Sequence, residues 1–173
     1  MGCQSSFKSA GMMTIITFFV VLLANFCNWL SFTTTSWLVT DLPSDTNGDV
    51  NLGLWRRCRS KLIGCDKLDG YADPTFGAVQ AFAIFGFISV NLGFFLIVLF
   101  VFWGSCKRNT EVSAASAGVL ITAAITWLIA ILVFALDVEE SGADNGFSFG
   151  FAICAAILSL IGGVMMIFAP RSD

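Results

Sequence analysis

Four long stretches without a single Asp, Glu, Lys or Arg constrain the fold of this chain more than any other feature. They cover residues 11–30, 75–103, 112–136 and 147–169. A helix of about 20 apolar residues matches the roughly 30 Å hydrocarbon layer of a bilayer. The sequence therefore predicts one domain, residues 1–173, that spans a membrane four times. A long loop over residues 31–74 and a short loop over residues 137–146 would lie on the same side.

Composition argues against several classes of function. The chain has no His, which removes the commonest general base and the commonest metal ligand. A net charge of −3 offers no basic surface for a nucleic acid. Transporters and pumps normally keep ionisable residues inside the membrane, and these spans contain none. We therefore expect no enzymatic activity, no cofactor, no metal site and no nucleic-acid partner.

Basic residues in the short polar segments predict the orientation. Lys8, Lys107, Arg108 and Arg171 all fall on one side of a four-span chain, and the short loop 137–146 has no Lys or Arg. Cytoplasmic loops carry an excess of Lys and Arg, so both termini are expected in the cytoplasm. The basic residues of the long loop argue against this orientation, because it would place them outside the cell. They receive less weight because charges within a folded sheet are poor signals of topology.

The long loop has the sequence pattern of a small antiparallel sheet. Residues 33–35 and 37–40 are rich in Thr, Val and Trp, which favour strands. From Val50 to Trp55, apolar and other residues alternate with the period of two that a half-buried strand shows. Between these segments stands Asn47-Gly48, a strong signal for a hairpin turn.

Two cysteines lie in the same loop, and their spacing favours a disulfide. Six residues separate Cys58 from Cys65, which suits a bridge between adjacent strands of a hairpin. Closing so short a loop is worth roughly 2–3 kcal/mol in the chain-entropy model, and the outside of a cell is oxidising. Free thiols or a metal site are the alternatives. A metal would need further Cys or His nearby.

Basic residues surround the first cysteine, namely Arg56, Arg57, Arg59 and Lys61, and Asp66 follows the second. The simplest interpretation is a solvated sheet edge. The alternative is a surface that lines an extracellular conduit and selects ions by the sign of their charge.

Three residues close to the predicted membrane ends are candidates for acylation. Met1-Gly2-Cys3-Gln4-Ser5-Ser6 fits the pattern for myristoylation at Gly2, with a palmitoylatable Cys3 beside it. Cys106 follows the second span directly. A chance match of the short N-terminal pattern, and an inert thiol at Cys106, are the alternatives.

The loop residues resemble a known family. Trp37-Leu38-Val39, then Gly53-Leu54-Trp55-Arg56-Arg57-Cys58, then Cys65 is similar to the Trp…Gly-Leu-Trp-x-x-Cys…Cys signature of claudins. The peripheral myelin protein, the epithelial membrane proteins and the gamma subunits of calcium channels share this signature. Four spans with a long first and a short second outer loop extend the resemblance over essentially the whole chain.

The resemblance implies a fold and an anchoring role for the signature. The fold would be a mainly α membrane protein, a left-handed four-helix bundle beneath a small extracellular antiparallel sheet. The sheet would carry a disulfide between Cys58 and Cys65. The residues that anchor the sheet on the bundle would be Trp37, Gly53, Leu54 and Trp55.

The resemblance also implies a function. Claudins lie at cell–cell junctions of the plasma membrane, where they adhere between cells and control paracellular passage. They form homo-oligomers within one membrane and meet the same or a related protein across the gap. By position, Arg59, Lys61 and Asp66 would line a pore. The alternative is a membrane organiser, or an auxiliary subunit of a channel or receptor, like the epithelial membrane proteins.

Three features depart from the claudin pattern. The two cysteines are usually spaced more widely, which weakens the transfer of pore residues. Claudins tend to carry an Arg early in the second helix, where Ala83 stands here, and the run over residues 79–82 is closer to the epithelial membrane proteins. The ending Arg171-Ser172-Asp173 is not a PDZ-binding tail.

Overall fold

The computed structural model describes residues 11–40, 50–59, 64–68, 73–103, 109–137 and 144–169. Within these ranges the chain forms four helices, each long and apolar enough to cross a membrane. They are α1 (Met12–Thr33), α2 (Pro74–Phe102), α3 (Thr110–Asp137) and α4 (Phe147–Ile167).

Local sequence accounts for the beginnings of α2 and α3. Pro74 takes the first position of α2, where its missing N–H costs nothing, and the Asp73 carboxylate accepts the Thr75 N–H at 2.9 Å. At α3, the side-chain oxygen of Asn109 accepts the Glu111 N–H at 2.7 Å. Both caps satisfy backbone donors that lack a partner within the helix.

The prediction that residues 33–35 form a strand is wrong. Thr33 is the last residue of α1, and its hydroxyl donates to the Trp29 carbonyl oxygen at 2.7 Å. This bond to the fourth preceding residue lets a β-branched Thr remain in the last turn of a helix. The first strand begins at Leu38 instead.

The helices are arranged as a ring in which α1 and α3 each contact both α2 and α4. The α2–α3 contact is the most extensive and the α1–α2 contact the least. Two glycines of α2 explain why α2 and α3 lie so close together. A Cβ on Gly86 would come within 2.7 Å of the Trp127 ring of α3, and one on Gly93 within 2.6 Å of Leu120. Small residues let membrane helices approach closely. α1 contains no Gly, so it has no glycine at which α2 could approach its backbone as closely.

Five short strands form one antiparallel sheet within the described residues. They are β1 (Leu38–Thr40), β2 (Val50–Leu52), β3 (Arg56–Arg59), β4 (Cys65–Lys67) and β5 (Asp144–Asn145), in the order β4-β3-β2-β1-β5. The short loop thus adds β5 to the sheet of the long loop. The predicted class, a four-span helical membrane protein with a small antiparallel sheet, is confirmed. The expected turn at Asn47-Gly48 lies outside the described residues.

The buried apolar residues form two clusters, one at each end of the bundle. The cluster away from the sheet includes Val21, Ile97 and Met166. The cluster near the sheet combines strand residues such as Leu52 with helix residues such as Trp127. The sheet and the bundle therefore share one core, which fixes the position of the sheet relative to the helices.

Candidate functional site

Trp37 anchors the sheet in the helical core. Its side chain is fully buried, and its ring centre lies 5.0 Å from that of Phe134, 5.8 Å from Phe149 and 6.3 Å from Trp127. Its indole N–H donates to the Ser31 carbonyl oxygen at 2.9 Å. The apolar ring and its one polar group are both accommodated inside the protein, so Trp37 contributes to structure and not to an outer contact surface.

Gly53 lies directly against the backbone that joins α1 to β1. A Cβ at this position would come within 2.7 Å of the Thr35 Cα atom and 2.9 Å of the Thr34 carbonyl oxygen. Both atoms belong to the backbone and cannot rotate away as a side chain could. The glycine of the signature is therefore required by close approach of two chain segments.

Leu54 and Trp55 complete the attachment of the β2–β3 connection. Leu54 is fully buried, and its carbonyl oxygen accepts a hydrogen bond of 2.6 Å from the side-chain amide of Gln80 in α2. The indole N–H of Trp55 donates to the Phe32 carbonyl oxygen at 2.9 Å, and the two rings lie 5.1 Å apart. α2 has 29 residues, about 43 Å of helix. It therefore exceeds the bilayer core and reaches the sheet with its first turns.

The start of α4 holds the α1–β1 connection from the other side, which sequence reasoning missed. The Ser148 hydroxyl lies 2.6 Å from that of Thr34 and accepts the Ser36 N–H at 3.1 Å. In the backbone, the Ser148 N–H donates to the Ser36 oxygen and the Gly146 N–H to the Trp37 oxygen, both at 3.0 Å. The sequence does show Ser148 in the first turn of the fourth span, but a Ser at that position is more simply explained as a helix cap than as a contact to a distant segment.

A disulfide joins β3 to β4. Cys58 and Cys65 are direct partners across the two strands, with Cα atoms 4.2 Å apart. All three residues of β4 are exposed, and among the described strands β4 lies at an edge and pairs only with β3. The covalent bond therefore retains a strand that has no buried side chain to hold it.

One face of the sheet is buried at one end and exposed at the other. Leu38, Leu52, Arg57 and Asp66 are successive cross-strand partners and so share this face. The two leucines are buried in the core, Arg57 is half-buried, and the Asp66 side chain is 73% exposed. We call this surface the overhanging face, because at β3 and β4 it extends past the bundle.

The overhanging face carries charge of both signs. Arg59 lies two residues from Arg57 along β3, and its Nη1 atom is 3.6 Å from Oδ2 of Asp66. With the Arg59 side chain 32% exposed, the pair is accessible to water and contributes little to stability. The Nε atom of Arg57 is buried without a hydrogen-bond partner in the described part of the chain. Of the three predicted pore residues, the structure brings Arg59 and Asp66 together, and Lys61 lies outside the described residues.

The fold and the signature residues both correspond to a known family. The sequence profile of the PMP-22/EMP/MP20/Claudin family matches residues 12–166, from the first residue of α1 to the last turn of α4. The chain belongs to the PMP-22/EMP/MP20/Claudin family. A comparison with curated proteins gives no match. The four helices make this family member a multi-pass membrane protein.

One departure from the claudin pattern has a structural basis in this PMP-22/EMP/MP20/Claudin family member. Ala83, near the place where claudins tend to carry an Arg, is fully buried in the cluster that the sheet and bundle share. A guanidinium here would need a partner inside an apolar core. Gln80, one turn earlier, supplies a neutral donor to the sheet instead.

Several other candidate residues lie outside the described part of this family member. These are the acylation candidates Gly2, Cys3 and Cys106, and the terminal residues 171–173. Among the described residues, no group of three or more His, Cys, Asp or Glu is placed to hold a metal ion.

Proposed function

We propose that this protein is a claudin-like junction protein of the plasma membrane. It would adhere between cells and form a paracellular barrier or an ion-selective pore. The sheet would lie outside the cell and both termini in the cytoplasm. The observation that supports this most is the overhanging face, a charged surface that is fixed on a membrane bundle yet extends beyond it.

Ion selection requires charges at defined positions, and the attachment of the sheet meets this requirement. Buried Trp37, the backbone contact of Gly53 and the hydrogen bond from Gln80 fix β2 and β3 relative to the helices. The disulfide extends this restraint to β4. Charges on rigid elements keep their spacing when an ion passes. Charges on flexible loops do not.

A pore between cells also requires several copies. We propose that the protein forms homo-oligomers within its own membrane and meets the same or a related protein on the neighbouring cell. The sheet has two edge strands, β4 and β5, one from each loop. Edge strands present unpaired backbone groups that can pair with another chain. The protein would act through these contacts, without catalysis.

Transepithelial resistance and dilution potentials in cells that lack their own claudins test the proposal. Expression of the chain should create either a junctional barrier or a leak that prefers one sign of ion. Unchanged resistance and selectivity, despite delivery of the protein to cell contacts, would rule it out.

Charge variants on the overhanging face test the pore assignment separately. Asp66→Asn removes the partner of Arg59 and should shift permeability towards anions, whereas Arg59→Gln should shift it towards cations. A unit charge about 4 Å away is worth about 1 kcal/mol in water, so each shift should reach up to about fivefold. Lys61→Gln should act in the same direction as Arg59→Gln.

Lys67→Gln provides a matched control, because Lys67 follows Asp66 in β4 and therefore points to the opposite face of the sheet. It should leave selectivity unchanged. Equal shifts for Lys67→Gln and Arg59→Gln would point to overall surface charge and not to a pore lining.

A second function, that of a membrane organiser or auxiliary subunit, draws support from a polar cluster on α1 and α2. The side-chain oxygen of Asn91 accepts from the Asn25 amide at 3.1 Å and from the Trp29 indole at 3.2 Å. Trp29 is 49% exposed on the surface that faces lipid. Polar side chains at such a surface can hydrogen-bond to a neighbouring helix. Co-purification of a channel or receptor that Asn91→Leu abolishes, without junctional enrichment, would favour this function.

A further inference from the structure

A pocket of about 440 Å³ lies where the end of α1 meets the β2–β3 connection. Its lining combines two aromatic rings, three hydroxyl-bearing residues and one cation: Phe32, Trp55, Thr33, Thr34, Thr35 and Arg56. Such a lining suits a molecule that has both an apolar and a polar part.

The pocket lies at the level of the lipid headgroups. α1 ends at Thr33, one helical turn beyond Trp29, whose half-exposed indole faces lipid. Indoles favour the membrane–water boundary. The exposed ring of Phe26 lies lower on the same helix, within the apolar span. The pocket therefore opens at the boundary between the acyl chains and water, in the leaflet nearest the sheet.

The charge in the pocket favours a phosphate. Arg56 is exposed and has no carboxylate within ion-pair distance among the described residues. Among the described residues, no acidic side chain lines the pocket. A guanidinium presents a planar set of donors that matches two phosphate oxygens at once. The hydroxyls of Thr33 and Thr34 donate to carbonyl oxygens of α1, at 2.7 and 2.6 Å, and that of Thr34 also lies 2.6 Å from the Ser148 hydroxyl, which leaves Arg56 as the group that would bind the phosphate.

The apolar part of the pocket continues into the seam between α1 and α2. The Phe32 ring stacks on that of Phe87 in α2, with centres 4.2 Å apart, and its centre lies 5.1 Å from that of the Trp55 ring. α1 and α2 make the least extensive contact of the neighbouring helix pairs. Both helices carry exposed apolar side chains in their membrane spans, such as Phe26 on α1 and Ile88 on α2. This surface suits acyl chains.

We infer that the pocket binds a phospholipid of the leaflet nearest the sheet. The Arg56 guanidinium holds the phosphate, the threonine side chains line the polar end of the pocket, and the acyl chains lie along the α1–α2 seam. This site is separate from the charged end of the overhanging face, since neither Arg59 nor Asp66 lines the pocket. It does not depend on the proposed junctional function.

Native mass spectrometry of the purified full chain, titrated with dioleoylphosphatidylcholine, tests the inference. Wild-type protein should retain one lipid more tightly than the others. Arg56→Gln should weaken that binding about tenfold, the effect expected for losing a hydrogen-bonded charge. Arg56→Lys, which keeps the charge but loses the planar set of donors, should give an intermediate affinity.

Lys67→Gln is the matched control. It removes the same charge from the direct cross-strand partner of Arg56, and Lys67 does not line the pocket. Affinity should fall by much less than with Arg56→Gln, since Lys67 can act on the phosphate only through its charge at a distance. Equal weakening by Lys67→Gln and Arg56→Gln, or no weakening by either, would refute the site. Both side chains are exposed, so neither variant should alter folding, and thermal unfolding in lipid-free detergent checks this.

Two further outcomes would refute a phospholipid as the occupant. Soluble glycerophosphocholine that competes as well as the lipid would indicate a site for free phosphate esters. A photoreactive sterol that labels Phe32 or Trp55, and that phosphatidylcholine fails to displace, would indicate a sterol site. Since the measurement uses isolated protein, these outcomes leave the junctional proposal untouched.

Discussion

Gly53 shows how closely the sheet approaches the end of α1. Replacement by Ala would place a methyl group against the backbone of Thr34 and Thr35. We expect Gly53→Ala to lower the free energy of unfolding by about 1–3 kcal/mol, the usual effect of overpacking. Thermal unfolding of the purified protein, with delivery to the cell surface as a second readout, measures this loss.

Gly150→Ala is the control for that experiment. Gly150 lies in α4, and a Cβ there would meet no atom of the described residues within 4 Å. Since Ala favours helix over Gly, stability should be unchanged or slightly higher. Equal destabilisation by the two substitutions would mean that the contact with Thr35 is not what makes Gly53 necessary.

Single residues differ in how far the sequence predicts their roles. Trp37 and Gly53 could be named from the signature, but the partners that explain them come from distant parts of the chain. The amide of Gln80 bonds to a residue 26 positions away, and the hydroxyl of Ser148 to one 112 positions away. A single sequence gives no means of pairing such residues, because each has plausible partners within its own helix.

At the scale of elements, β4 depends most on one covalent bond. Changing Cys58 and Cys65 together to Ser removes the cross-link from a strand whose three residues are all exposed. We expect a loss of roughly 2–3 kcal/mol, as estimated for a loop of this length. Hydrogen exchange should become faster in β3 and β4 while α1 to α4 retain their protection.

Cys154→Ser controls for the loss of a thiol, because Cys154 is a free, exposed cysteine of α4. It should leave exchange in the sheet unchanged. Faster exchange throughout the helices of the double variant would contradict the view that the disulfide acts locally.

The elements themselves differ in predictability for physical reasons. The helices could be located because each must be free of charge over the thickness of a membrane. The β5 strand at Asp144–Asn145 was not predicted, because Asp and Asn are poor strand formers. It exists through its pairing with β1. Local propensity also misplaced Thr33: a β-branched residue favours a strand, but Thr33 is the last residue of α1.

At the scale of the whole molecule, the orientation can be tested directly. Asp144 is exposed in the sheet, so Asp144→Cys should react with a membrane-impermeant maleimide added to intact cells. An epitope tag fused after Asp173 should bind antibody only after permeabilisation. The wild-type chain is the control for background labelling. Labelling of Asp144→Cys that requires permeabilisation would place the sheet in the cytoplasm and exclude the junctional proposal.

The shared sheet links the two loops mechanically. β5 comes from the short loop and β1 to β4 from the long one, and hydrogen bonds join all five strands side by side. A pull on the short loop from outside would load the β1–β5 bonds first and then pass across the strands towards β4. Because the sheet is also fixed on the bundle, such a force would be shared among the strands and the helices, and the two loops would resist it as one unit.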